Sequence, residues 1–160
     1  MLLRELKANR VLCRLDPLSD SHISDVFKSH SDAIVLTVSR SATHAVNRVA
    51  INRLFRDQVR YPDIQYNNDL PPSALYKTMH VMITQNRDKK HGVINGQGAE
   101  VINFQNKTVF LRLPNQRVVA IHMVTEVSED VKRTFYPTVP ACASTICKLQ
   151  GQTLKKIVLC

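Results

Sequence analysis

The chain has 160 residues, is 44% hydrophobic and 22% charged, and carries a formal net charge of +9. That profile excludes a disordered chain and suits one ordinary domain, or one with a small insert. The positive balance points to a polyanionic partner such as nucleic acid or an anionic surface, and composition alone equally allows a basic protein without one.

No apolar run approaches the ~18 residues of a membrane span, so no membrane role is expected. The N-terminal MLLRELKANR holds Arg4, Glu5 and Lys7 and lacks a signal peptide's apolar core. The four cysteines, at 13, 142, 147 and 160, form no C-x-x-C pair. They read as reduced thiols of an intracellular protein. Their spacing does not favour a zinc site built from Cys142, Cys147 and a distant His.

The first part of the chain, to about Arg60, has an α/β texture. AIVLTVS (Ala33–Ser39) is a β-branched run suited to a buried strand. Ser39 and Ser41 follow as helix N-cap candidates. A helix is expected over about Ala42–Phe55, with Ala42, Ala45, Val46, Val49, Ala50 and Leu54 on its apolar face. Arg40, His44, Arg48 and Arg56 lie opposite, with Asn47, Asn52 and Arg53 nearby, as a solvated face. Strand and helix together make half of a βαβ unit.

YPDIQYNNDLPP (Tyr61–Pro72) has no periodicity and reads as a linker. From about Leu75 to Val127 the texture is β. MHVMIT, GAEVINF, KTVFLRL and RVVAIHMV are short strands, with turns at Gln105-Asn106 and Pro114-Asn115. VFLRL sets Val109, Leu111 and Leu113 on one face, and Gly92, Gly96 and Gly98 mark turns or bulges. Short strands at this spacing suggest a small barrel. Asn86, Arg87, Lys89, Lys90 and His91 make a basic turn, open to single-stranded DNA or simply exposed. His22, His30, His80 and His122 have no paired acid or nucleophile and read as structural or surface residues.

FYPTVPACAST (Phe135–Thr145) reads as one strand with edge or bulge prolines, ICKLQGQTLKK as a short helix or turn, and KIVLC as a buried strand. The barrel is therefore an insert in an α/β domain, expected over residues 73–130, between flanking parts 1–72 and 131–160. Thr145, Lys148, Gln150, Gly151 and Thr153 form a set suited to phosphate oxygens. The Thr hydroxyl would lie at the carboxyl edge of a sheet, Lys148 is a point charge, and Gly151 permits close backbone approach. The same residues fit a polar capped turn with a solvated Lys.

STICKLQGQTL resembles motif V of the superfamily 1B DNA helicases, the RecD-like and petite-integration-frequency group. The family pattern is Thr-Ile-His-Lys-Ser-Gln-Gly-x-Thr-Leu. Thr145, Ile146, Lys148, Gln150, Gly151, Thr153 and Leu154 match it, while Cys147 and Leu149 replace the family's His and Ser. VMITQNRDKKHGVINGQGAEVI is similar to the segment that opens the family's inserted barrel. IVLTVSRSATHAVNRVAINRLF is similar to its strand–helix element, and LLRELKANRV to the preceding helix.

The resemblance implies a second RecA-like motor domain, of the P-loop NTPase type, with an inserted Src-homology-3-like barrel. It implies an ATP-dependent 5′–3′ DNA helicase serving DNA repair and recombination, in the nucleus or alternatively the mitochondrion. ATP and Mg²⁺ would be used by the full-length parent and not bound by this chain alone. The implied partners are single-stranded DNA and the first RecA-like domain of the same parent. Thr37, Ser39, Arg87, Thr145 and Lys148 would contact DNA, with N-capping the alternative for Thr37 and Ser39. Gln150 and Gly151 would sense nucleotide phosphates. No catalytic residue and no metal ligand is expected here. The phosphate loop G-x-x-x-x-G-K-[ST] and the acidic Mg²⁺ motif do not occur. The chain is thus expected to be a fragment cut at both ends and inactive as an ATPase alone. The alternative is a non-enzymatic nucleic-acid-binding module or helicase remnant.

Overall fold

The computed structural model describes residues 19–29, 33–58, 75–128, 131–149 and 157–159. In chain order the elements are α1 (Asp20–Ser29), β1 (Ile34–Thr37), α2 (Arg40–Leu54), β2 (His80–Ile83), β3 (Gly98–Gln105), β4 (Thr108–Arg112), β5 (Val118–His122), β6 (Val124–Ser128), β7 (Val131–Phe135), β8 (Thr138–Pro140), β9 (Ala143–Thr145) and β10 (Ile157–Leu159), with 3₁₀ turns at Lys89–His91 and Ile146–Leu149. The chain divides into two compact units, Met1–Arg56 with Ala141–Cys160, and Asp57–Pro140. The readings for LLRELKANRV, His30 and Tyr61–Pro72 fall outside the described residues. Among the described residues no helix is long and apolar enough to cross a membrane.

The first unit is built on a parallel three-stranded sheet, ordered β10-β1-β9. A parallel sheet needs cover, and β1 (IVLT) and β10 (IVL) are largely apolar for that reason. Val35 pairs with Val158 on one side and Ala143 on the other, and all three are buried. α1 contributes Ile23, Val26 and Phe27, and α2 contributes Val46 and Ala50, to the same core. The i, i+3, i+4 spacing of the α1 residues is one helical stripe. Asp20 in its first turn and Lys28 in its last complement the helix dipole. The sequence reading did not identify α1.

α2 starts two residues before the expected Ala42, because Ser39 and not Ser41 is its cap. Ser39 is extended (φ −127°, ψ 155°), and its side-chain oxygen accepts from the Ala42 N–H at 3.1 Å. Asn47, expected near the polar face, is instead buried against the sheet.

The second unit holds a five-stranded antiparallel sheet, ordered β5-β4-β3-β2-β8, and a two-stranded ribbon, β6-β7. β2 to β5 form a meander, and β8 returns to pair with β2 (Met82 with Val139). No pairing joins the end strands β5 and β8 among the described residues. Val109, Leu111 and Leu113 share the buried face as expected. Asn106 and Lys107 turn the β3–β4 hairpin with φ of 50° and 61°, the positive pair of a two-residue hairpin loop.

Phe135–Thr145 is not one strand. Thr138–Pro140 closes the second unit and Ala143–Thr145 belongs to the first. Pro140 lacks an N–H and ends the ladder there. The β6-β7 ribbon, from Val124 to Phe135, spans the position at which a return to the first unit was expected.

Candidate nucleic-acid interface

The carboxyl edge of the β10-β1-β9 sheet collects most of the candidate residues. Strands of a parallel sheet end on one side, and open α/β sheets bind ligands there. Thr37 and Thr145, the last residues of β1 and β9, are registered partners. Val38 and Ser39 follow the first. Ile146, Cys147 and Lys148 follow the second, in a single 3₁₀ turn.

The hydroxyls at this edge have different environments. Thr37 is fully buried. Its oxygen lies 2.6 Å from the Thr43 hydroxyl, and it also donates to the Ser39 carbonyl at 3.3 Å. Thr37 therefore ties β1 to α2 through a buried hydroxyl, at a position where the sequence leaves DNA contact and N-capping as alternatives. Ser39 caps α2 and shares a 3.0 Å hydrogen bond with Ser41. Thr145 is half-buried, while Cys147 and Lys148 are exposed.

Electrostatics at the edge is one-signed. Residues 33–56 and 141–160, which supply β1, α2, β9 and β10, contain no Asp or Glu. α2 opens on Arg40 with no acid in its first turn. A cation there costs a helix about 0.3–1 kcal/mol against its own dipole. The positive end of α2, Arg40 and the exposed Lys148 thus follow the two strand ends that carry the half-buried Ser39 and Thr145 hydroxyls, which suits an anion and repels cations.

Asn47 positions β9. Its amide nitrogen donates to the Ala143 carbonyl at 3.2 Å, and its oxygen accepts from the Ala143 N–H at 2.8 Å. Both groups belong to the end strand of the sheet, so the side chain takes the place of a neighbouring strand. Sequence reasoning did not assign this role. An Asn on the helix face that points at a strand edge was the available signal.

Arg87 lies in the second unit. Its guanidinium donates to the Gln85 side chain at 2.8 Å, and Gln85 donates to Glu126 of β6 at 2.7 Å. Arg87 thus ends a polar chain that reaches an acid. Asp88 caps the Lys89–His91 turn, accepting from the His91 N–H at 3.2 Å, and its carboxylate meets the His91 ring at 2.5 Å. That ring contact holds the Asp88 carboxyl below its ordinary value of 3.8. Gly92 follows at φ +86°, and the Arg117 guanidinium donates to the Lys90 carbonyl at 3.3 Å. Arg117 therefore belongs with the basic turn, a link across 27 residues that the sequence reading missed.

Gln150 and Gly151, the expected nucleotide-sensing pair, lie outside the described residues. Among the described residues no three His, Cys, Asp or Glu gather as metal ligands. Burial pushes the Cys142 thiol up to about 11. His22, His80 and His122 are exposed, as expected.

No protein-family model and no curated protein sequence matches the chain. Solved structures do. The Bacteroides Pif1 helicase in complex with ADP-AlF3 and ssDNA aligns with a TM-score of 0.62 at 21% identity, covering 88% of this chain and 37% of that one. Bacteroides Pif1 bound to ssDNA aligns at 0.61 and 20%, covering 98% and 38%. The Candida albicans Pif1 helicase aligns at 0.60 and 24%, covering 80% and 38%. The chain shares the fold of part of the Pif1 helicases, a mixed α/β fold of RecA-like type, and spans less than two fifths of the length of these three structures.

Proposed function

We propose that the chain is part of an ATP-dependent 5′–3′ DNA helicase, namely its second RecA-like motor domain with an inserted Src-homology-3-like barrel. The observation that carries this reading is the acid-free carboxyl edge of the parallel sheet, where Thr145 ends β9 and Lys148 lies in the turn that follows it. In this reading Thr145 and Lys148 hold the backbone of single-stranded DNA, and Gln150 and Gly151 sense the nucleotide phosphates. In this reading the four-stranded meander β2–β5 and the returning β8 correspond to the inserted barrel. ATP and Mg²⁺ are held mainly by a first RecA-like domain, which carries the phosphate loop. Likeness to Pif1 helicases solved with ssDNA and with ADP-AlF3 supports the assignment.

The test is a salt titration of the full chain with a labelled single-stranded oligonucleotide. Affinity is expected to fall steeply with salt. Lys148→Ala is expected to weaken binding and to flatten the log–log slope by about 0.7, the increment for one phosphate contact on a single strand. Absence of salt-dependent binding by the unaltered chain overturns the reading. DNA-stimulated ATP hydrolysis by the chain alone overturns the division of labour between the two domains.

A further inference from the structure

Five large hydrophobic side chains are exposed among the described residues: Val38, Ile94, Val118, Val127 and Ile146. Within the first unit there are two, and both lie at the carboxyl edge just described. Val38 is 82% exposed and Ile146 is 51% exposed. Each directly follows one member of the registered pair Thr37 and Thr145, so both leave the sheet at the same level. The core of this unit is built from α1, α2 and the sheet strands, and neither Val38 nor Ile146 belongs to it.

A ligand for this edge has to satisfy two chemistries at once. Lys148, the Ser39 and Thr145 hydroxyls and the absence of acids select an anion. Val38 and Ile146 select an apolar face, and as β-branched side chains they are already stiff and lose little freedom on contact. A duplex offers phosphates but keeps its base faces stacked inside. A single strand offers phosphates with base and sugar faces beside them. An acidic protein surface matches the cation but gives the apolar pair nothing regular to meet.

We propose that Val38 and Ile146 form an apolar step against which the base faces of a single strand rest, while Lys148 and the neighbouring hydroxyls take its phosphates. The inference rests on the reading of this edge as a nucleic-acid interface, and adds that the edge distinguishes single strands by their bases. With only 6% aromatic residues and no Trp in the chain, aliphatic contact takes the part that stacking plays in aromatic platforms.

The experiment compares the full chain with a double variant, Val38→Ser with Ile146→Ser, by fluorescence anisotropy. The probes are a thymidine oligonucleotide and an abasic oligonucleotide of equal length. The unaltered chain is expected to prefer the thymidine strand by about fivefold, the scale of partly burying one aliphatic side chain. The double variant is expected to lose the preference with its abasic affinity unchanged. Lys148→Ala is expected to weaken both probes alike. Val38→Ile with Ile146→Val is expected to keep the preference. Because both sites are exposed, the double variant is expected to retain the melting temperature of the parent. Equal binding of the two probes by the unaltered chain overturns the inference and leaves the interface standing. So does a preference that survives the double variant, or a parallel loss on both probes with melting unchanged. Failure of the unaltered chain to bind either probe removes both the interface and the inference.

Discussion

Asn47 and Ala143 are 96 residues apart in the sequence, and the side chain of the first satisfies both backbone groups of the second. α2 is thereby fastened to the end strand of the parallel sheet by polar as well as apolar contact. Removing the amide leaves a buried N–H and a buried carbonyl without their partner. Asn47→Ala is expected to destabilise the chain by about 2–4 kcal/mol, read as a lower midpoint in urea at unchanged slope. Hydrogen exchange at the Ala143 amide is expected to accelerate. A loss below about 0.5 kcal/mol would show that the pair contributes nothing net.

Thr37 and Ser39 both hold the start of α2 against β1, the first from a buried and the second from a half-buried position. Thr37→Val keeps shape and removes the part-buried hydrogen bond to Thr43, so a loss of about 1 kcal/mol is expected with no change in oligonucleotide affinity. Ser39→Ala removes the cap of α2 and is expected to cost about 1 kcal/mol by thermal or urea melting. Weakened binding by the Thr37 variant at full folding would contradict the buried placement of its hydroxyl.

The parts of the fold legible in the sequence were those written in apolar periodicity. β1 follows from the β-branched AIVLTVS run, most of α2 from Val46, Val49, Ala50 and Leu54, and β4 from the alternation of Val109, Leu111 and Leu113. The missed parts depend on partners far along the chain. Asn47 looked solvent-facing because its polarity, not its direction, was read. Phe135–Thr145 looked like one strand because an extended run carries no mark of which sheet it joins, and the break between β8 and β9 exists only through pairing with β2 and β1. The β6-β7 ribbon is hard to read from the sequence because β6 is exposed along nearly its whole length and shows no hydrophobic alternation. At the candidate site the residue types are legible in the sequence but burial is not, so the buried Thr37 and the half-buried Thr145 look alike there.

The Asp88–His91 pair predicts a local pH response. The hydrogen bond from His91 is the main cause that lowers the Asp88 carboxyl. A depressed folded value means that the carboxylate supports the Lys89–His91 turn above the ordinary 3.8 and loses that support as pH falls through the lowered value. His91→Ala is expected to return the Asp88 titration toward 3.8, followed by the side-chain carboxyl carbon in NMR. Both side chains are solvent-exposed, so the global melting temperature is expected to move little. An unchanged Asp88 titration in the variant would remove His91 as the cause.

Cys142 and Cys147 lie in the same stretch but differ in burial, Cys142 inside the core and Cys147 exposed. With its thiol raised to about 11, Cys142 presents roughly one thiolate in a thousand at pH 8, and the core around Ala33, Val35 and Ala50 shields even that. A disulfide exchange reagent at pH 8 is therefore expected to modify Cys147 rapidly and Cys142 only as fast as the first unit opens, as followed by peptide mass mapping. Adding urea below the unfolding midpoint should speed the Cys142 reaction in step with local opening and leave the Cys147 rate nearly unchanged. Comparable rates at the two thiols in the native chain would mean that β9 and α2 part far more readily than the Asn47–Ala143 bonds allow.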